Sequence, residues 1–142
     1  MPIVPLASLK KLAWNGIPDE LRPMVWQILL GYLPCDASAR ADTLASKRKE
    51  YQAGVESAFR NERGLDQAIW HQIRIDVPRT NPHLSLYQFE ATQRALERIL
   101  YVWAIQHPES GYVQGINDLV TPFFQVFLSA YIGGIIGWRD LP

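Results

Sequence analysis

Prolines at positions 18, 34, 78, 82 and 108 cut a chain whose apolar residues otherwise recur at helix spacing. That combination calls for short helices joined by stiff loops. Across residues 19–33, Leu21, Met24, Val25, Ile28, Leu29 and Tyr32 follow the i, i+3, i+4, i+7 order of one helix face. Trp26, Leu30 and Leu33 form a second face, so this helix is predicted to be buried on two sides. Gly16 and Pro18 mark the turn before it and Pro34 closes it. A polar helix is predicted over residues 42–60, with Leu44, Tyr51, Val55 and Phe59 inward and Lys47, Arg48, Lys49 and Glu50 on a solvated face. Asp66 is a candidate N-cap for a shorter helix through Ile69, Trp70 and Ile73.

Pro78 and Pro82 exclude regular helix between them, and the residues before them, Val77 and Asn81, are pushed toward extended conformations. Residues 76–83 are therefore predicted to be an ordered, extended loop with Arg79 at its middle. Helix resumes near Gln88, where Phe89, Thr92, Leu96, Ile99, Leu100 and Trp103 keep the period until Pro108. After a turn at Glu109, Ser110 and Gly111, another helix begins around residues 115–118, apolar on most sides through Phe123, Phe124, Phe127 and Leu128. Alternating strands, internal repeats and linkers are absent from the pattern, and the predicted class is all-α.

Composition narrows the functions. Hydrophobic residues make up 48% and charged residues 20%, a globular balance, and five Trp, six Tyr and five Phe supply core area. Fourteen basic and fourteen acidic residues cancel, so bulk charge points to neither nucleic acid nor an anionic membrane. Cys35 is the single cysteine, which excludes an internal disulfide and makes a reducing, intracellular compartment the expectation. The first residues lack the basic flank and apolar run of a signal peptide. Residues 119–138 carry no charge, but Thr121, Pro122, Gln125, Ser129 and Gly133-Gly134 interrupt them, so a buried helix and a loose tail are expected instead of a membrane span. His71, His83 and His107 stand at no metal-ligand spacing, and no Gly-Lys-Ser/Thr loop or Gly-x-Ser-x-Gly elbow occurs. No metal or nucleotide cofactor of the chain's own is expected.

Two segments stand apart. In residues 73–82, Arg79 lies between two prolines, so its loop has less entropy to lose on engaging an anion, and its planar guanidinium suits phosphate oxygens. The plain alternative pairs Arg79 with Asp76 or another carboxylate. In residues 110–118, Gln114 stands at a turn-to-helix junction with Gly111 and Gly115 on either side, where a partner's backbone can come close. A carboxamide donates and accepts at once, so it can orient a water. The plain alternative is a helix-capping cluster with Asn117 and Asp118 as caps.

Taken together these segments resemble the TBC-domain Rab GTPase-activating proteins. Ile73, Asp76 and Arg79 match the family's Ile-x-x-Asp-x-x-Arg motif; Tyr112, Gln114 and Gly115 match its Tyr-x-Gln-Gly motif. Arg22 and Trp26 match an early Arg-x-x-x-Trp element that follows Trp14-Asn15-Gly16-Ile17-Pro18. Longer strings, residues 70–83 and 107–124, are most similar to the fungal Golgi branch and its animal counterparts. The resemblance implies that Arg79 is an arginine finger and Gln114 a glutamine finger supplied in trans. It implies that Asp76 holds the Arg79 loop, with Tyr112 and Gly115 supporting the site and Arg22 and Trp26 the fold. The implied partner is a GTP-bound Rab-family small GTPase, which itself holds GTP and Mg²⁺; the implied location is cytoplasmic, peripheral to Golgi or other endomembranes. TBC domains carry a second helical half, so residues 12–131 are read as the N-terminal part of such a domain, after an extension at 1–11 and before an atypical tail at 132–142. A catalytically silent module that binds a Rab or an adaptor, or an inactive fragment, stays as the alternative.

Overall fold

The computed structural model describes residue 3 and residues 5–60 and 64–132. Six α-helices occupy most of them: α1 (Leu6–Ala13), α2 (Arg22–Leu29), α3 (Arg40–Phe59), α4 (Gln67–Asp76), α5 (Glu90–Gln106) and α6 (Ile116–Ile132). Three 3-10 turns, Ala37–Ala39, Val77–Arg79 and Ser85–Gln88, complete the regular structure of these residues, with one isolated bridge between Ile3 and Asp36. The predicted all-α class holds. The described residues fall into two compact units, one drawn from residues 1–50 and 124–142 and the other from 51–123.

In the first unit α2 is shorter than its apolar period. Gly31 takes a φ of 74°, and the amides of Tyr32 and Leu33 both return to the carbonyl of Gln27, at 2.9 and 3.0 Å, ending the helix. Ile28 and Leu33 are buried, but Leu21, Met24, Leu30 and Tyr32 are exposed, so the two-sided burial predicted for this helix is not observed. Once the backbone turns at Gly31, helical spacing no longer assigns a face to the residues beyond it. Asp36 caps the next turn, accepting from the Ser38 amide at 2.9 Å and from its hydroxyl at 2.7 Å. Trp26 meets Phe127 edge to face with ring centroids 6.5 Å apart.

The second unit holds the deeper core. Ile73, Val77, Tyr87, Leu96, Leu100, Tyr101, Val102 and Ala104 are buried, and Phe59, Trp70 and Tyr101 form an aromatic cluster of edge-to-face and tilted contacts with centroids 5.1–5.6 Å apart. Asp66 is the N-cap of α4, as its position predicted, accepting from the Ile69 amide at 3.3 Å. Its own amide donates to the Tyr101 hydroxyl at 2.9 Å, which seats the start of α4 on α5. Phe89, counted in the helical period from its spacing, is the exposed residue just before α5. Pro122 lies inside α6 and lacks the amide that Asp118 would otherwise receive four residues back. The Thr121 hydroxyl donates to that carbonyl at 2.8 Å and restores its partner. Of the tail predicted at 132–142, Ile132 is the last residue of α6 and the rest lies outside the described residues.

Candidate functional site

Arg79 ends a 3-10 turn that continues α4 without a break. Val77 is helical (φ −58°, ψ −46°), its amide bonded to the Ile73 carbonyl, and the Thr80 amide returns to Val77 at 3.1 Å. The expected extended loop is therefore corrected: the chain stays helical past α4, and Pro78 falls at the start of the 3-10 turn, a position that tolerates its missing amide. Extension begins only at Thr80 (φ −76°, ψ 119°), and Asn81, predicted to be extended, has a φ of +39°. The chain thus turns sharply just after Arg79, leaving Arg79 exposed while Thr80 is fully buried.

Gln114 lies in the loop between α5 and α6. The Ile116 amide bonds to the Val113 carbonyl at 3.1 Å, closing a turn over Gln114 and Gly115. Gly115 has a φ of 107°, a value open to glycine and strained for other residues. Amides of Asp118 and Leu119 then return to the Gly115 carbonyl at 3.1 and 3.2 Å, so Gln114 stands exposed just before the first turn of α6.

Four buried or half-buried side chains tie these loops together. Asp76, 3% exposed, accepts from Gln72 Nε2 at 3.0 Å through Oδ1 and from the Tyr112 hydroxyl at 2.7 Å through Oδ2. On the far side of Arg79, the Thr80 hydroxyl donates to the Asp76 carbonyl at 3.0 Å and accepts from Asn117 Nδ2 at 2.9 Å. Asn117 Oδ1 in turn accepts from the Gly115 amide at 3.0 Å. Arg79 is flanked by anchors at 76 and 80, and Gln114 by anchors at 112 and 115. Burial raises the pKa of the Tyr112 hydroxyl above its ordinary value, and the Asp76 hydrogen bond and the Asp76 and Asp118 charges raise it further. This phenol stays a donor at neutral pH.

Asp76 has both oxygens engaged by neutral donors, and among the described residues Arg79 enters no ion pair and Gln114 no side-chain hydrogen bond. The plain pairing of Arg79 with Asp76 is absent. Asn117, read as a cap from its position, lies inside α6, buried and bonded to Thr80 37 residues earlier in the chain. Thr80 and Gln72 carried no signal in the sequence, since a threonine after an arginine or a glutamine within a helix is unremarkable until the partner loop is in place. Arg22 and Trp26 belong to the other unit: Arg22 donates to the Ile17 carbonyl at 2.8 Å and pairs with Asp19 at 3.0 Å, securing the turn before α2.

The family model for the Rab-GTPase-TBC domain matches residues 19–132. The chain is 65% identical over 135 residues to GTPase-activating protein gyp1 of Schizosaccharomyces pombe, covering 93% of this chain and 26% of that protein. It is 53% identical to GTPase-activating protein GYP1 of Saccharomyces cerevisiae, covering 92% of this chain and 20% of that protein. It is also 53% identical to human TBC1 domain family member 22B, covering 89% and 25%. The crystal structure of the Ypt/Rab-GAP domain of Gyp1p superposes with a TM-score of 0.87 at 53% identity, over 92% of this chain and 40% of that one. The chain thus spans about a quarter or less of the length of these relatives.

Proposed function

The chain belongs to the Rab-GTPase-TBC domain family, and from that premise we propose that it accelerates GTP hydrolysis on a Rab-family GTPase through Arg79 and Gln114. The observation that carries this reading is the pairing itself: two exposed side chains, unengaged among the described residues, stand on separate loops cross-linked on both sides of each. A guanidinium paired with no carboxylate among the described residues is open to the oxygens of a transferring γ-phosphoryl group, whose charge it would neutralise. The Gln114 carboxamide would hold the attacking water, accepting a hydrogen bond from it while the water oxygen bonds to phosphorus, the bond to the GDP oxygen breaks and the water's proton passes to the released phosphate. GTP and Mg²⁺ stay with the GTPase. Asp76 and Tyr112 act before the encounter, holding the loop so that little entropy is lost on docking. The same reading puts the chain in vesicle traffic, peripheral to Golgi or other endomembranes by way of its GTPase; among the described residues no helix is long and apolar enough to cross a membrane.

The test is single-turnover GTP hydrolysis on a panel of Rab-family GTPases. It uses both the 142-residue chain and a chimera in which residues 19–132 replace the matching segment of the S. cerevisiae GYP1 domain. Stimulation by either protein that disappears with Arg79→Ala supports the proposal. Binding of a GTP-loaded Rab without acceleration by either protein assigns a silent binding module instead.

A further inference from the structure

We propose that Thr80 and Asn117 are positioning residues that set the spacing between Arg79 and Gln114. This inference rests on the function proposed above and adds to it the device that couples the two loops. Each bond in the relay has only one possible direction. The Gly115 amide can only donate, so the oxygen of the Asn117 amide must face it and the nitrogen must face Thr80. The Asp76 carbonyl can only accept, so the Thr80 hydroxyl must point its proton there and offer a lone pair to Asn117. The four groups form one continuous donor-to-acceptor relay from the residue after Gln114 to the residue three before Arg79. Every side chain in it is buried, Thr80 at 0% and Asn117 at 6% exposed, so water does not compete for the bonds.

Asn117 and Thr80 are 37 residues apart in sequence, and each lies within three residues of one exposed functional candidate. Neither side chain reaches solvent at the surface where a GTPase would dock. Their effect would pass through geometry: losing the relay frees the Gly115 turn from the Thr80 corner and lets the Arg79 and Gln114 loops drift relative to each other. Docking uses many contacts and tolerates such drift, whereas in-line transfer depends on simultaneous placement of both groups. The signature is a fall in kcat with KM preserved.

The experiment compares parent, Thr80→Val, Asn117→Ala and Thr80→Ser in the chain and in the chimera described above. Valine keeps the shape of threonine and removes its hydroxyl; serine restores the hydroxyl. The first readout needs no GTPase: hydrogen exchange at the Gly115 amide is expected to quicken in Thr80→Val and Asn117→Ala and to stay slow in Thr80→Ser. The second is saturation kinetics on a stimulated GTPase. A drop of about 10²-fold in kcat is expected for the first two variants, the scale of a roughly 1 Å misplacement, with KM unchanged and Thr80→Ser near the parent. Should Thr80→Val fail to melt cooperatively, Asn117→Ala carries the same comparison. An active parent whose folded variants keep kcat within about threefold, or keep the Gly115 amide slow, overturns the coupling alone. A parent inert on every GTPase removes the proposed function and this inference together.

Discussion

The hydroxyl of Tyr112 donates to Oδ2 of Asp76 across 2.7 Å, joining residues 36 positions apart in sequence. One residue of this pair lies three before Arg79 and the other two before Gln114. The contact is a charge-assisted hydrogen bond, and Gln72 Nε2 donates to the other carboxylate oxygen, so each oxygen of the buried carboxylate has a donor without a cation. A carboxylate held by neutral donors leaves the neighbouring arginine available.

Arg79→Ala should reduce stimulated GTP hydrolysis by about 10³–10⁵, the range associated with an arginine finger. Since Arg79 is exposed and enters no ion pair among the described residues, the thermal melt should stay where it is. Single-turnover rates and a melting curve on the same protein check both halves. A loss of less than tenfold would take Arg79 out of the finger role.

Gln114→Ala should remove most stimulation while leaving affinity for the GTP-bound GTPase nearly intact, because a water-orienting group acts mainly in the transition state. The companion measurement uses a Rab whose own switch glutamine is replaced by alanine; that Rab should still be stimulated by the parent protein. If the altered Rab is inert and Gln114→Ala retains normal turnover, the glutamine in use is the GTPase's.

Tyr112→Phe should destabilise the fold by about 1.5–3 kcal/mol, the range for a lost hydrogen bond to a charged group, read from urea unfolding. The same tyrosine sets an alkaline limit. Its folded pKa is raised above the ordinary 10.0, so above that pH the unfolded chain binds fewer protons than the native one. Stability contributed by the bond is therefore complete below about pH 10 and declines as pH rises toward the folded pKa. The variant should lack this part of the decline, and identical pH profiles for the two proteins would contradict the assignment.

Gly115→Ala should cost about 1–2 kcal/mol for conformational reasons alone, because an added Cβ would meet nothing within 4 Å while φ is 107°. Turnover should fall with it, since the strained turn carries both Gln114 and the amide bonded to Asn117. An alanine variant as stable as the parent would mean that the turn relaxes into another conformation.

Local order was legible from residue type wherever one residue's chemistry decided it. Asp66 reads as an N-cap because its side chain reaches an amide three residues on, and Pro108 just follows α5 because proline cannot continue the hydrogen-bond ladder. The motif positions of Arg79 and Gln114 were likewise visible, as was the all-α class. The conformation around Pro78 was not. Its restriction on Val77 favours extension, but continuation of α4 buries Val77 completely and outweighs that preference. The extent of α2 was also missed, because spacing alone does not reveal that Gly31 reverses the backbone.

The sequence by itself determined the all-α class, the Asp66 cap and the stop at Pro108, and named Arg79 and Gln114 as candidates, since such signals follow from side chains and their neighbours within about four positions. Only the tertiary structure decided that Asp76 meets Tyr112, that Thr80 meets Asn117, and that Arg79 pairs with no carboxylate among the described residues. These outcomes depend on the packing of helices distant in sequence, whose burial removes water and leaves each donor to find the one acceptor within reach.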